Sequence, residues 1–340
     1  APRDSDMTVS SDDDLAALKR IGRIVAQTLD AMGKAIEPGM TTAELDRIGR
    51  RLLEAAGAQP APELAYGFPG ATCISVNEEV AHGIPGDRRI APGDLVNIDV
   101  SAEKDGLFAD TGASFAVPPV SRAAERLCRD GRRALWTGLR QVGAGRPLSG
   151  IGQAVGAFAH RNGYTLVRNL ASHGVGRSLH EEPTEIATWP DASERRIMGE
   201  GLVFTVEPFL SLGATFAEDG DDPWTLYSRP RALTVQYEHT VVATRNGKAI
   251  RFRATDVREF QSRTSAGVRG AGASHACSVR SASASPSSSP MIRSPGDTAR
   301  PPMVTGPFTS VPLALFIGTI GAVSVFKAVY IDKRTLKCAC

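Results

Sequence analysis

The sequence predicts an α+β fold of two similar halves, each with two helices before its strands, around a central antiparallel sheet. Apolar residues recur at helical spacing in two pairs of segments, residues 12–57 and 121–162, and short apolar strands follow each pair. The 340 residues are 42% hydrophobic, which suits one large or two ordinary domains with a sizeable core. A net charge of +2 gives no reason to expect nucleic acid, or an anionic membrane, as the main partner.

Two capping patterns mark the helices of the first half. Ser11 precedes three aspartates, so it is a suitable N-cap and puts acidic residues at the positive end of a long helix. Thr41 and Glu44 form a capping box for a second helix that ends near Gly57. The apolar stretch Ala71–Val76 then predicts a short strand.

Two short strands around Asp105-Gly106 predict a β-hairpin, because this dipeptide is a strong signal for a two-residue hairpin turn. Counting outward from the turn places Ser101 opposite Asp110, with Asp99 two residues along on the same face. The two aspartates are then diagonal neighbours, about 7–8 Å apart between Cα atoms. Like charges this close repel, and a divalent cation between them is the simplest remedy.

The second half repeats the order of the first. Ser121 is a suitable cap for a long helix, and a shorter helix is predicted from Ser149 to Asn162. Three apolar strands are predicted after these helices, at residues 164–167, 202–206 and 233–243.

Five further residues are candidates for the site that the hairpin begins. His173 and His180 lie in a glycine-rich stretch that is typical of a loop, where a structural histidine is the more frequent role for either residue taken alone. Glu207 directly follows a predicted strand, a place where glutamates are usually solvated. Glu238 lies in the middle of an apolar predicted strand and needs a partner there. His82 lies in a turn, where a surface role is the ordinary alternative.

Taken together, these residues indicate a dinuclear metal site. Asp99, Asp110, Glu207 and Glu238 carry four negative charges, which two divalent cations would balance, and His173 adds a neutral nitrogen. Oxygen-rich ligation with one imidazole favours Co, Mn, Fe or Zn. Two such ions about 3.5–4 Å apart lower the pKa of a shared water and stabilise the oxyanion that forms when it attacks a carbonyl.

Six motifs, in this order along the chain, resemble those of a type I methionine aminopeptidase: Asn97-Ile-Asp-Val, Ala109-Asp-Thr-Gly, Ser172-His-Gly-Val-Gly-Arg, His180-Glu-Glu-Pro, Thr205-Val-Glu-Pro and Gln236-Tyr-Glu-His-Thr. The resemblance extends from about residue 14 to residue 253. It implies the pita-bread fold, with pseudo-twofold halves, and removal of the initiator methionine. The implied partners are the N-termini of nascent peptides, which places the protein in the cytoplasm near the ribosome.

The resemblance also implies a role for each metal ligand. Asp110 and Glu238 would bridge both metals, His173 and Glu207 would complete the first, and Asp99 would complete the second. Because the free α-amine of the substrate would approach the second metal, cleavage would be restricted to N-termini.

The catalytic residues follow from the same resemblance. Glu207 would act as general base for the bridging water, and His180 would donate to the scissile carbonyl or its oxyanion. His82 would contact the substrate amide beside the leaving nitrogen. Three residues match or nearly match those that line the methionine pocket of the family: Phe68, Cys73 and Trp224.

The chain departs from the family around this pocket. Pro62, Ala65 and Tyr66 stand where cysteine, tyrosine and histidine are frequent, and Leu179 stands where phenylalanine is usual. Ala for Tyr and Leu for Phe remove aromatic walls, and a pocket loses discrimination when its walls retreat. We therefore expect the aminopeptidase chemistry to be better determined than the preference for methionine.

Two alternatives remain open from the sequence. Xaa-Pro aminopeptidases and prolidases share the metal ligands, but they usually carry a large extra N-terminal domain, and only about 70 residues precede the first predicted strand. Their histidine motif also tends to hold a further histidine where this chain has Arg177. The other alternative is a non-catalytic relative that binds a ribosome, RNA or protein partner. Such relatives tend to lose metal ligands, whereas all five are present.

Composition predicts the domain boundaries. Residues 1–12 are expected to be a flexible N-terminus without a secretory signal, and residues 13–255 the catalytic domain. Residues 256–310 are rich in Ser, Arg and Pro and predict disorder. Residues 311–340 form a short apolar tail of unassigned role, whose apolar run at 311–331 is too interrupted for us to favour a membrane anchor. Five scattered cysteines favour a reducing compartment.

Overall fold

A computed structural model of the chain describes residues 9–244 and, beyond them, the backbone of residues 248–252 and 257–261. The first half contains three helices and five strands: α1 (Asp12–Ala35), α2 (Thr42–Ala55), β1 (Gln59–Pro60), α3 (Ala61–Tyr66), β2 (Cys73–Val76), β3 (Glu79–Ala81), β4 (Leu95–Lys104) and β5 (Leu107–Ala116). Most of the segment predicted to be disordered, residues 256–310, and the whole of the apolar tail, residues 311–340, lie outside the described residues.

The described part of the second half begins with the two predicted helices and continues with eleven strands. In chain order these elements are α4 (Arg122–Leu139), α5 (Ser149–Asn162), β6 (Thr165–Leu166), β7 (Ser172–Gly174), β8 (Glu181–Ile186), β9 (Val203–Val206), β10 (Phe209–Ser211), β11 (Phe216–Asp219), β12 (Leu226–Arg229), β13 (Thr234–Gln236), β14 (His239–Ala243), β15 (Lys248–Phe252) and β16 (Val257–Gln261). Among these residues, no helix is long and apolar enough to cross a membrane.

The predicted caps start both helices of the first half. The Ser11 hydroxyl accepts a hydrogen bond from the Asp14 N–H at 3.1 Å. Thr41 and Glu44 form the reciprocal bonds of a capping box. The chain just before α1 is also held, because the Val9 N–H donates to the carbonyl of Gly201 at 3.2 Å.

Asp14 ties α1 to the segment between β7 and β8. Its carboxylate accepts from the Ser10 N–H at 3.2 Å and forms an ion pair with Arg177. The Ser10 N–H and the Arg177 guanidinium lower the pKa of Asp14 to about 2. Because this value lies below that of an unfolded aspartate, the contact stabilises the fold above about pH 4, and the stabilisation is lost as the pH falls towards 2.

We therefore expect Asp14→Asn to lower the free energy of unfolding at pH 7 by about 1 kcal/mol, a modest value because water screens the half-exposed Arg177. Urea unfolding of wild type and variant at pH 7 and pH 3 measures the difference. Asp13→Asn, at an exposed position on the same helical turn, is the control. A difference that stays the same at both pH values would contradict the ion pair as its cause.

The hairpin has the register that its turn predicted. Lys104 pairs with Leu107 and Ser101 with Asp110, while Asp99 pairs with Gly112. Asp99 and Asp110 are therefore diagonal neighbours on one face. The opposite face packs under α1 and α2 in an apolar core that includes Val96, Ile98, Val100, Leu18, Ile21, Val25 and Leu45.

All strand pairs are antiparallel, and the described strands form four sheets. The hairpin belongs to a four-stranded sheet, and a six-stranded sheet has the order β16-β15-β14-β9-β7-β8. This second sheet includes Val257–Gln261, so it continues past the predicted domain end at residue 255. Helices combined with antiparallel sheets confirm the predicted α+β class.

The two larger sheets meet where the segment from Glu238 to Thr240 runs beside β5. The Glu238 N–H donates to the Gly112 carbonyl at 2.9 Å, and the Gly112 N–H donates back at 3.4 Å. The Thr240 hydroxyl bonds both the N–H and the carbonyl of Asp110 at 2.8 Å. Two candidate ligands, Asp110 from the first half and Glu238 from the second, are thereby placed side by side.

Two predictions about local structure were wrong. Residues 233–243 are not one strand, because the backbone of Glu238 turns to Gly112 and separates β13 from β14, which belong to different sheets. His173 lies in strand β7 and not in a loop. Strand β8 was also missed, since Glu181–Ile186 has the charged sequence Glu-Glu-Pro-Thr-Glu-Ile and does not alternate apolar with polar residues.

Candidate metal centre and active site

The hairpin contributes two buried carboxylates to the site. The exposed fraction of Asp99 is 9% and that of Asp110 is 2%. Asp99 is within hydrogen-bonding reach of Asp110. The predicted convergence of the two aspartates on one face is therefore present.

The second half brings an imidazole and a third carboxylate to the same place. His173 Nε2 lies 3.6 Å from Glu207 Oε1 and 4.0 Å from Asp110 Oδ2. Thr205 orients the side chain of Glu207 and fixes the backbone of His173: its hydroxyl donates to Glu207 Oε1 at 2.7 Å and accepts from the backbone N–H of His173 at 3.1 Å. The Ser172 hydroxyl fixes the backbone of Glu207 by accepting its N–H at 3.0 Å. Glu207 directly follows β9, as predicted.

Glu238 is the fourth carboxylate, and a chain of amides holds it. Gln236 Nε2 donates to Glu238 Oε2 at 2.7 Å, and Asn97 Nδ2 donates to Gln236 Oε1 at 2.9 Å. This arrangement requires Gly112, because a Cβ there would lie 2.2 Å from Gln236 Oε1. The close approach that joins the two sheets therefore also makes room for the side chain that orients Glu238.

The donor set fits a divalent cation. One ligand atom each from Asp110, His173 and Glu238 lie within 4.8 Å of one another, and all three residues are buried. Asp110 Oδ1 and Glu238 Oε1 are buried without a hydrogen-bond partner in the part of the chain that the structure describes. A buried carboxylate oxygen without a donor is costly, and a cation between the two removes that cost.

Two more histidines border the cluster. The ring of His180 lies against that of His173, with 3.9 Å between centroids, and its Nε2 is buried with no hydrogen-bond partner among the described residues. Its Nδ1 forms a hydrogen bond with the Tyr66 hydroxyl. Burial lowers the pKa of His180 well below its ordinary value, and the neighbouring His173 and His82 add to the effect. Only 6% of His82 is exposed, so a surface role does not describe it.

The three predicted pocket residues also lie together. Phe68 and Cys73 are buried, and Trp224 and Tyr66 pack against them. The rings of Phe68 and Trp224 meet edge to face, with 5.2 Å between centroids. This apolar cluster borders the group of carboxylates and histidines through Tyr66, which packs against Phe68 and Cys73 and forms a hydrogen bond with His180.

Comparison with known proteins places this geometry in a family. The sequence profile of metallopeptidase family M24 matches residues 16–245. The chain belongs to metallopeptidase family M24. Within this family it is 45% identical over 251 residues to the methionine aminopeptidase of Staphylococcus epidermidis, which covers 74% of this chain and 100% of the relative. The resemblance found in the six motifs is thereby confirmed.

Solved M24 structures confirm the predicted pita-bread fold. The crystal structure of methionine aminopeptidase from Rickettsia prowazekii has a TM-score of 0.67 and 32% sequence identity, and covers 70% of this chain and 96% of that one. The prolidase from Pyrococcus horikoshii has a TM-score of 0.59 at 22% identity, covering 73% of this chain and 64% of the prolidase, and shares the fold alone.

Burial and mutual repulsion shift the protonation of this M24 cluster. Burial raises the pKa of Asp110, and it raises the pKa values of Glu207 and Glu238 well above their ordinary range, with neighbouring carboxylates adding to the effect. Burial lowers the pKa of His173. The carboxyl groups of Asp110, Glu207 and Glu238 are therefore easier to protonate in the folded protein than in the unfolded chain.

This shift predicts how stability depends on pH and metal. A carboxyl group with a raised pKa stabilises the fold below its unfolded pKa of about 4.5, and the stabilisation is lost as the pH rises through the folded value. We therefore expect the chelator-treated protein to lose stability from pH 5.5 to pH 8. Added cation displaces the protons, so the increase in Tm caused by Mn²⁺ should be larger at pH 8. Thermal unfolding with and without Mn²⁺ at pH 5.5 and pH 8 measures this increase in Tm. An equal increase at both pH values would contradict the prediction.

Sequence reasoning missed three residues that support the site, namely Thr205, Gln236 and Tyr66. Thr205 precedes Glu207, and Gln236 precedes Glu238, by two residues, a spacing that can place both members of a pair on one face of an extended segment. That spacing was the available signal for both. The contact of Tyr66 with His180 joins positions 114 residues apart and carries no local signal.

Proposed function

We infer that this chain is a methionine aminopeptidase, which removes the N-terminal methionine of polypeptides by metal-dependent hydrolysis. One observation carries the inference: a buried cluster of four carboxylates and one imidazole, with unpaired oxygens on Asp110 and Glu238, borders the apolar group of Phe68, Cys73 and Trp224. The identity to a methionine aminopeptidase over that relative's whole length supports the same activity.

Two divalent ions would be held by the five residues that the motifs indicate: Asp99, Asp110, His173, Glu207 and Glu238. Four carboxylate charges balance two dications, and the donor set suits Co, Mn, Fe or Zn. Bound ions of this kind supply an activated water and electrostatic stabilisation of the charge that develops on a carbonyl oxygen.

The protein's own side chains have separate roles in the reaction. Glu207 accepts the proton of the attacking water and returns it to the leaving amine. His180 donates a hydrogen bond to the scissile carbonyl oxygen, for which its buried Nε2 has no competing partner among the described residues. His82 contacts the amide beside the leaving nitrogen. The methionine side chain occupies the apolar cluster, where the edge-to-face rings of Phe68 and Trp224 form one wall.

The substrates in the cell are the N-termini of nascent chains. We propose that the enzyme works in the cytoplasm close to the ribosome, because a new chain presents its initiator methionine there before folding encloses it.

A peptide panel tests this function. The full chain is loaded separately with Co²⁺, Mn²⁺, Fe²⁺ or Zn²⁺ and offered Met-Ala-Ser, Leu-Ala-Ser and Ala-Pro peptides. We expect release of methionine from the first peptide at a kcat/KM about 10- to 200-fold above that for the others, since a shaped apolar pocket discriminates by about 1–3 kcal/mol. Cleavage of the proline peptide without methionine release would favour a prolidase-like enzyme. A protein that binds no stoichiometric amount of metal and cleaves none of the peptides would favour a non-catalytic binding protein.

A further inference from the structure

The short helix α3 is fixed in place at both ends beside the active site. Arg50 of α2 donates to both carboxylate oxygens of Glu63, at 2.9 and 3.3 Å. The helix ends at Gly67, whose φ of +67° is in the left-handed region that favours glycine. Tyr66 is the last residue of this helix, so these contacts determine where its side chain points.

Tyr66 makes its polar contact with the histidine proposed to act on the substrate. Its hydroxyl forms a hydrogen bond with Nδ1 of His180, and the two rings are inclined by 54° with 5.5 Å between centroids. The other ring nitrogen of His180, Nε2, is buried, has no hydrogen-bond partner among the described residues, and belongs to a ring that lies against His173.

We propose that Tyr66 is a positioning residue: its hydroxyl donates to Nδ1 of His180 and so keeps the proton of that ring on Nε2, facing the substrate carbonyl. The inference rests on the proposed function, in which His180 acts as a hydrogen-bond donor. It deepens that function by naming the group that makes His180 a donor.

The chemistry of the two groups sets the direction of the bond. A neutral imidazole has one N–H donor and one acceptor nitrogen, so the role of Nδ1 decides the role of Nε2. A phenol donates better than it accepts, because its oxygen lone pair is delocalised into the ring, whereas the unprotonated imidazole nitrogen is a strong acceptor. With Nδ1 occupied by the Tyr66 proton, Nε2 carries the N–H that a developing oxyanion requires.

Tyr66 has a simpler alternative role, because it also packs against Phe68 and Cys73. A residue that is only a wall of the apolar pocket would affect substrate binding and leave the tautomer of His180 unchanged. Kinetics and spectroscopy separate the two roles.

The kinetic test is Tyr66→Phe, which keeps the ring and removes the hydroxyl. We expect kcat for Met-Ala-Ser to fall about tenfold with KM changed less than twofold, as for loss of an orienting hydrogen bond. In a His180→Ala background the same change should have no further effect. Tyr164→Phe is the control, since it removes a buried hydroxyl that donates to Asp130 at 2.9 Å. A rise in KM with unchanged kcat, or an equal loss in both backgrounds, would overturn the proposal.

The spectroscopic test reads the tautomer directly. The full chain is labelled with ¹⁵N-histidine and loaded with diamagnetic Zn²⁺, and the His180 signals are assigned by their loss in His180→Ala. We expect Nδ1 at an acceptor shift and Nε2 at a protonated shift in the wild type, and a mixture of tautomers in Tyr66→Phe. A protonated Nδ1 in the wild type, or identical shifts in the variant, would overturn the proposal. If the wild type does not release methionine, the proposed function fails, while these shifts still decide the tautomer.

Discussion

Replacing Asp110 with asparagine is expected to lower kcat/KM for methionyl peptides by at least about 10³-fold, because a metal-stabilised transition state loses several kcal/mol when a proposed metal ligand is lost. Asp110 interacts with every other member of the cluster: it lies 4.0 Å from His173 Nε2, is within reach of Asp99, and adds to burial in raising the pKa values of Glu207 and Glu238. Asparagine has nearly the same volume, so the change removes the charge and leaves the packing.

The same variant makes an opposite prediction for the metal-free protein. The buried carboxylates repel one another when no metal is bound, and Asp110→Asn removes one of their charges. The Tm of the chelator-treated variant should therefore be higher than that of chelator-treated wild type. Metal content by mass spectrometry and thermal unfolding measure both effects. Asp105→Asn, at the exposed turn of the same hairpin, is the control and should change neither. Full activity or full metal content in Asp110→Asn would contradict its proposed role as a metal ligand.

The second large effect is expected for His180→Ala, with a decrease of about 10²–10³-fold in kcat, the range for loss of one donor to a developing oxyanion. KM should change little, because the bond strengthens only as charge develops on the carbonyl oxygen. The metals should remain bound, since His180 lies against His173 without being one of the five proposed ligands.

Metal analysis distinguishes a catalytic residue from a ligand in this case. His160→Ala, at an exposed position in the last turn of α5, is the matched control and should behave as wild type. If His180→Ala is purified without metal while His160→Ala retains it, His180 would be a ligand and its proposed catalytic role would be wrong.

The parts of the fold that local rules determine could be predicted from the sequence. Asp105-Gly106 defines a two-residue turn, and the turn defines every pair of the hairpin, including the diagonal of Asp99 and Asp110. The caps at Ser11 and Thr41 are equally local. The other three proposed ligands, His173, Glu207 and Glu238, were assigned by resemblance to a family. Their spacing alone did not distinguish a structural role from a functional one.

The features that escaped prediction depend on contacts between distant segments. The predicted strand is interrupted at Glu238 because the backbone of this residue hydrogen-bonds to Gly112. Nothing in the sequence of residues 233–243 indicates that partner. The departure at Tyr66 was read as part of a pocket with retreating walls. In the structure this tyrosine supplies an aromatic ring beside Phe68 and a hydroxyl to His180, and both follow from the placement of α3 by Glu63.

The meeting of the two sheets at Gly112 and Glu238 also bears on the order of events during synthesis. The N-terminal half supplies two of the proposed ligands, Asp99 and Asp110, and the remaining three come from later in the chain. A ribosome-bound fragment that ends before Glu207 therefore lacks half of the acidic groups, and tight cofactor capture must wait until nearly the whole domain has emerged. Metal uptake would then indicate that the domain has been completely synthesised and folded. An enzyme that acts on new proteins would become active only after its own synthesis is complete.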